Sequence, residues 1–262
     1  MVVLGLVDLD PDLAALRPLG GFFALRTSAS PPGSLPTLAQ VYAHAAPDVQ
    51  SHPQSDPLSP QSDSLAFRVR KVAAALRAPE PRIAASVAHQ ALAARLWSAA
   101  LGCAALYGRV PDLHPRLLHW DADASAPDDL FLSETRPLPA AAATIADTVL
   151  HGHLVPLTAA LRTRYRVAAG LLWGNAASAL AGAARELDRW ARIHGRTDTA
   201  ARAHALTAEL LAHPLLAGTG TLTGTAFRRR SCCLYYRVPG GGVCGDCCFT
   251  RAPRSSPPRS SP

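Results

Sequence analysis

A chain of 262 residues is long enough for one large domain, or for a main domain with a small appendage, and can bury a core without relying on disulfides. Hydrophobic residues make up 48% and charged residues 17%, a globular composition, and no run of eighteen apolar residues is present to span a bilayer. The formal charge of +7 would point to nucleic acid, but Lys71 is the only lysine against 25 arginines; no aromatic platform accompanies Arg162, Arg164 and Arg166, so the charge reads as a solvated basic face.

The opening MVVLGLVDLDPDLAAL has no basic stretch ahead of its apolar run and meets Asp8 and Asp10 early, so it does not read as a secretory signal. The expected setting is cytoplasmic, where thiols stay reduced and cysteine clusters are more often metal sites than disulfides. The runs VVLGLV and GFFAL predict one or two strands, or a strand and a short helix, in the first 27 residues. From Ser28 to Ser64 the composition turns to Pro, Ser, Gln and Asp, and Pro47 to Ser64 reads as a flexible loop at about 47–64, with too little apolar area to offset the entropy of ordering.

Apolar residues at three and four spacing predict helices over Leu65–Ala78 and Ala84–Tyr107, with Gly108 as a stop. Asp128–Pro137, DDLFLSETRP, alternates like a short half-buried strand. Ala140–Arg166 reads as helical with a break near Pro156; the next helix offers Asn175 as N-cap and Gly195 as stop, and Asp198–His213 follows with Pro214 beyond it. Gly218, Gly220 and Gly224 read as a loose linker, and RAPRSSPPRSSP as a disordered tail. The expected fold class is mostly α (α+β): a helical scaffold over 1–217 with minor N-terminal and central β, a cysteine-rich segment over 218–250 and a tail over 251–262.

Five of the six cysteines lie in SCCLYYRVPGGGVCGDCCF, Ser231 to Phe249. Cys232, Cys233, Cys244 and Cys247 form C-C-x10-C-x2-C. The C-x2-C half lets two thiolates share a metal centre, as in both zinc and iron–sulfur sites. Adjacent Cys232 and Cys233 send their side chains to opposite sides of an extended chain, which suits one tetrahedral zinc poorly and a cluster with two metal atoms better. Gly240, Gly241 and Gly242 are expected to turn N–H groups towards sulfur, and Arg228, Arg229, Arg230 and Arg237 to offset the negative charge of a thiolate-bound cluster. Tyr235 and Tyr236 read as shielding or packing residues. On spacing alone a structural zinc site and disulfides remain open. Cys248 has no assigned role, and Cys103 reads as a core residue.

RRRSCCLYYRVPGGGVCGDCCF resembles the C-terminal motif of the FhuF-like siderophore ferric-iron reductases, and AASVAHQALAARLWSAAL and WGNAASALAGAAREL resemble that family's helical body, so the likeness runs from about Leu65 to Phe249. The resemblance implies a two-iron two-sulfur cluster whose cofactor-binding and metal ligands are Cys232, Cys233, Cys244 and Cys247. It further implies an iron–sulfur oxidoreductase that passes one electron to a ferric siderophore, expected to be of hydroxamate type, and releases Fe(II). No catalytic residue is expected beyond the cluster. The electron donor is not named by the sequence, no nucleic-acid partner is expected, and loose association with the inner membrane face is compatible with the reading. The alternatives are a zinc-stapled binding protein and an iron–sulfur redox sensor or electron carrier with no siderophore substrate.

Other residues carry weaker signals. His151 and His153 in HGH would face apart on a helix, roughly 200° given 3.6 residues per turn. Asp121, Asp123, Asp128 and Asp129 would suit a hard cation but read as a solvated loop. Trp97, Trp173 and Trp190 read as packing residues. There is no P-loop, no G-x-G-x-x-G after a strand and no G-x-S-x-G.

Overall fold

The computed structural model describes residues 13, 16–28, 31, 33–44 and 63–253. The run VVLGLV, nearly all of the expected loop at 47–64 and most of the tail lie outside them.

Two long helices, α3 (Pro81–Tyr107) and α6 (Ala169–Ile193), form the centre. Both are rich in alanine, which favours helix and lets two backbones approach closely. Nineteen residues of α3 are buried, with Trp97, Leu96 and Leu101 almost fully enclosed. Helix α3 begins at Pro81, pre-set for a first turn, and ends where Gly108 adopts φ 66°. Around this pair lie α1 (Leu38–His44), α2 (Ser64–Leu76, capped by the Asp63 carboxylate on Ala66 N–H), and α7 (Thr197–Leu211). The expected helices at Leu65–Ala78, Ala84–Tyr107 and Asp198–His213 are therefore present with ends shifted by a few residues.

The stretch expected to break near Pro156 is instead helical throughout, though not uniformly α. It runs from α4 (Ala142–Ile145) through a π-helical segment (Ala146–Leu154) into α5 (Val155–Tyr165). Pro156 lies in the interior of this continuous helix, directly after the π-helical segment, where the departure from α geometry accommodates a residue with no N–H. Asn175 is not an N-cap: α6 begins six residues earlier, at Ala169, and Asn175 lies in its interior, fully buried.

The β structure is slight. Strands β1 (Arg26–Thr27), β3 (Leu118–Trp120) and β4 (Leu130–Leu132) make one sheet in the order β1-β4-β3, with β1 parallel to β4. Strands β2 (Arg109–Pro111) and β5 (Pro137–Pro139) pair antiparallel. The expected half-buried strand over Asp128–Pro137 is thus only three residues, all of them buried, and Pro137 opens another strand rather than ending this one. The expected glycine linker is a hairpin, β6 (Gly220–Thr223) with β7 (Ala226–Arg229), whose turn uses Gly224 at φ 59°.

A buried ion pair joins three parts of the chain. Arg95 of α3 meets Asp129 at 2.9 Å with side-chain exposures of 2% and 8%, and donates to the carbonyls of Gly21, at 3.0 Å, and Phe22, at 2.5 Å. The guanidinium fork fixes the N-terminal segment and the approach to β4 onto one helix face.

Candidate metal centre

The cysteine segment sits on α6 because α6 has a notch for it. A Cβ on Gly174 would stand 2.4 Å from the Ser231 hydroxyl, so any side chain there would have to displace that hydroxyl. Ser231 Oγ donates to Gly170 O at 2.9 Å. One residue along α6, Asn175 donates through Nδ2 to Ser86 O at 2.9 Å and Ser86 Oγ at 3.0 Å. Ser86 in turn donates to Cys233 O at 2.8 Å. Helix α3, helix α6 and the first cysteine pair are thereby locked together by buried polar groups that satisfy one another.

The second cysteine turn is tied down as firmly. Cys247 N–H donates to Cys244 O at 3.0 Å, closing the turn through Gly245 and Asp246. Asp246 is buried; its carboxylate accepts from Ser178 Oγ at 2.6 Å and Arg185 Nη1 at 3.2 Å, and its carbonyl accepts from Arg229 N–H at 3.0 Å.

These anchors set the five thiols near one another without closing them round one point. Cys233 and Cys244 form one close pair, Sγ to Sγ 3.6 Å, with Cys233 only 4% exposed. Cys232, Cys247 and Cys248 are half-buried nearby. Backbone N–H groups do point at sulfur, but they come from Leu234 to Cys232, at 3.2 Å, and from Phe249 to Cys247, at 3.4 Å, rather than from the glycine run. Of those three glycines only Gly240 has a positive φ, while Gly241 N–H turns to Val238 O at 2.7 Å.

The acidities record the crowding. Burial pushes Cys232 up to about 11, and the charges of Cys233, Cys248 and Cys247 push the same way. Burial and the neighbouring Cys247 charge also raise Cys248. Cys233 is drawn down to about 6 by the hydrogen bond to Cys244, against its own burial and with help from the Tyr235 N–H and Arg229. Cys244 moves up strongly because it keeps the proton that this pair shares. Thiols held this close resist joint ionisation unless a cation replaces their protons, as metal binding does.

The paired thiols and Arg229 both suit an anionic metal–thiolate cluster. Two thiolates on one tetrahedral metal with bonds of about 2.3 Å stand about 3.8 Å apart, close to the Cys233–Cys244 separation of 3.6 Å. Arg229 is 2% exposed, and the acceptors it meets are neutral: Leu171 O at 3.3 Å, Gln90 Oε1 at 3.4 Å and Asn175 Oδ1. Its buried Nε has no partner. A buried guanidinium facing neutral acceptors is costly unless negative charge lies beside it, and a thiolate-bound cluster is such a charge. Among the described residues, no three His, Cys, Asp or Glu side chains gather as a site for one metal ion.

The four arginines divide. Arg229 turns inward as described, Arg237 pairs with Glu80 at 2.7 Å, and Arg228 and Arg230 face solvent. Tyr236 packs edge-on against Phe249, whereas Tyr235 is exposed. The remaining candidates are structural. His153 is buried, accepting from Tyr42 Oη at 2.9 Å and donating to Leu113 O at 2.5 Å, while His151 packs edge-on against His213. Asp121 accepts from Asp123 and Ala124 N–H, Asp123 pairs with Lys71, Asp128 with Arg26 and Asp129 with Arg95. Trp97 and Cys103 are core residues. The sequence reading does not single out Ser86 or Ser178, nor the inward role of Asn175, for which the available signal is a polar residue within an alanine-rich helical run; for Asp246, inside the cysteine turn, there is no such signal.

A groove of about 440 Å³ lies beside the cysteine turn, walled by the Gly20–Phe23 loop, Gln90, Ser178, Gly182 and Asp246. No helix among the described residues is long and apolar enough to cross a membrane.

The family model described as ferric iron reductase FhuF-like transporter matches residues 89–230, more than half of the chain, and that of the FhuF 2Fe-2S C-terminal domain matches residues 229–249. No curated protein matches the chain.

Proposed function

Because the chain belongs to the FhuF-like ferric iron reductase family and ends in that family's two-iron two-sulfur domain, we propose that it reduces ferric siderophores by one electron and releases Fe(II) in the cytoplasm. The observation that carries the reading is the buried Arg229, with no carboxylate partner, beside the Cys233–Cys244 thiol pair. The ligand set would be Cys232, Cys233, Cys244 and Cys247, of which Cys233 and Cys244 already stand as a close pair. Cys248 stays outside it.

When bound, the cluster supplies electrons singly, the unit that converts Fe(III) to Fe(II). Siderophores hold Fe(III) through hard, charged oxygen ligands, which grip the softer, less charged Fe(II) far more weakly. The balance is one electron gained by the substrate iron and one lost by the protein, with no proton or covalent step. The chain's own residues then have limited tasks. Arg229 holds positive charge against the site, Ser86 and Asn175 fix Cys233, and Asp246 fixes the second turn. The groove beside Asp246 seats the ferric complex within reach of the cysteine turn and excludes part of its water.

The test mixes the anaerobically reduced holoprotein with a ferric hydroxamate siderophore and traps Fe(II) with a ferrous chelator. Reoxidation of the cluster with one Fe(II) trapped per electron is expected. Stoichiometric zinc with a featureless visible spectrum, or a cluster that stays reduced on mixing, would overturn the reading.

A further inference from the structure

A one-electron reductase must be recharged after each turnover, and this sequence has no phosphate-cradling motif for a nicotinamide or flavin nucleotide. The electron therefore comes from another molecule. The surface around the cysteine turn has the character of a docking site. Six large apolar side chains of the described residues are exposed, and three of them, Tyr235, Val243 and Phe249, lie within the cysteine segment. Between His213 and Pro253 the sequence has five arginines and one carboxylate, Asp246. Asp246 is buried against Ser178 and Arg185, and Arg229 is buried as well, so the charge left on this surface is positive: Arg228, Arg230 and Arg251 are exposed. The alternation of β7 sends Phe227 and Arg229 inward and Arg228 outward, with Arg230 following on the exposed side.

Cys247 reaches this face. It lines a concavity of about 430 Å³ together with Arg228, Gly245, Phe249 and Thr221. That concavity shares no lining residue with the groove beside Asp246, so two ligands can approach the cysteine turn without competing for the same side chains.

We propose that this face, where Cys247 lies between Arg228 and Phe249, is the docking surface for an acidic one-electron carrier protein. The proposal rests on the reading that the cluster is held by these cysteines. Exposed Phe249 beside Arg228 suits a transient protein interface, and the positive charge of the exposed arginines of this segment steers an acidic partner into place faster than diffusion of neutral bodies allows. The carrier loses one electron and the cluster gains it, with no atom transferred.

The probe is a reduced, acidic plant-type ferredoxin, whose low potential drives the transfer. Stopped-flow rates of cluster reduction by the ferredoxin and by dithionite are compared in the wild-type holoprotein and in Arg228→Glu/Arg230→Glu. Calorimetric binding of the two oxidised proteins gives a readout apart from turnover. The expected result is a ferredoxin-to-dithionite rate ratio at least tenfold lower in the double variant. Affinity should weaken in parallel, the steep salt dependence of the wild type should flatten, and Arg228→Lys/Arg230→Lys should keep most of the rate. No reduction by ferredoxin, or a rate and affinity untouched by salt and by charge reversal, overturns the proposal. So does a variant slowed only in reoxidation by ferric siderophore, which assigns the patch to substrate, or one that loses only binding to anionic vesicles, which assigns it to a membrane. Charge-dependent reduction by ferredoxin in a wild type that no siderophore reoxidises keeps the docking surface and overturns the substrate instead.

Discussion

Arg229 shows how much one residue's placement matters. It stands in a run of three arginines that sequence cannot tell apart, yet only this one is buried, and its acceptors are uncharged. Positive charge beside a cluster favours the reduced, more negative state. Replacing Arg229 with Met is therefore expected to lower the midpoint potential, by the electrostatic equivalent of a few kcal/mol at the effective dielectric of a protein, as measured by EPR-monitored titration. An unchanged potential would mean that its charge is not felt at the cluster. For the thiols, Ser at Cys232, Cys233, Cys244 or Cys247 is expected to abolish or alter the optical spectrum, while Ser at Cys248 preserves it. A normal spectrum in any of the first four refutes the ligand set.

At the scale of elements, the contact between α6 and the cysteine segment depends on Gly174. A methyl group there would collide with the Ser231 hydroxyl at 2.4 Å, so Gly174→Ala should cost about 1–3 kcal/mol, the usual penalty for overpacking. Denaturant unfolding of the cluster-loaded protein would read the loss, and iron content would read the displaced segment; full stability and full loading would show that the segment can shift freely. The buried Arg95–Asp129 pair makes a second test, away from the metal centre. Asp129→Ala strands a guanidinium that is 2% exposed and should destabilise by about 3–5 kcal/mol. Some of this was legible. Alanine-rich apolar periodicity gave the helices and Gly108 and Gly195 their ends. The hairpin was not, because its first strand, Gly220–Thr223, has the glycine and threonine content of a linker, and its second, Ala226–Arg229, has one large apolar residue, Phe227, which reads as a strand residue only once α6 supplies a surface for it. The placement of Asn175 failed for a related reason. Asparagine is a good N-cap by local hydrogen bonding, and only Ser86 and Arg229, both distant in sequence, reward it in a helix interior.

For the whole molecule, stability should depend on pH through two enclosed histidines. Burial lowers His89 from 6.5 to about 3, with the Arg229 charge acting in the same direction. Burial lowers His153 to about 4, against the pull of its hydrogen bond to Leu113 O. Both remain neutral in the folded chain at mildly acidic pH and take up a proton on unfolding. Their contribution is full above the unfolded value of about 6.5 and declines as pH falls towards the folded values. Between pH 7 and pH 5.5 the loss is about 1 kcal/mol for each histidine, visible as a falling thermal midpoint of the holoprotein. His153→Gln should remove about half of the slope, and an equal slope in that variant would assign it elsewhere.

The sequence by itself determined the chemistry of the site and the helical class. Thiol spacing is covalent, fixed along the chain wherever it folds, and apolar periodicity is a local property of each helix. Tertiary structure alone decided which arginine faces the cysteines, that the chain's one asparagine, Asn175, holds them from a helix interior, and that Asp246 anchors the second turn from within. Those roles depend on burial and on partners from 54 to 139 residues away, and a buried charge or amide takes its function from the groups that surround it rather than from its neighbours in sequence.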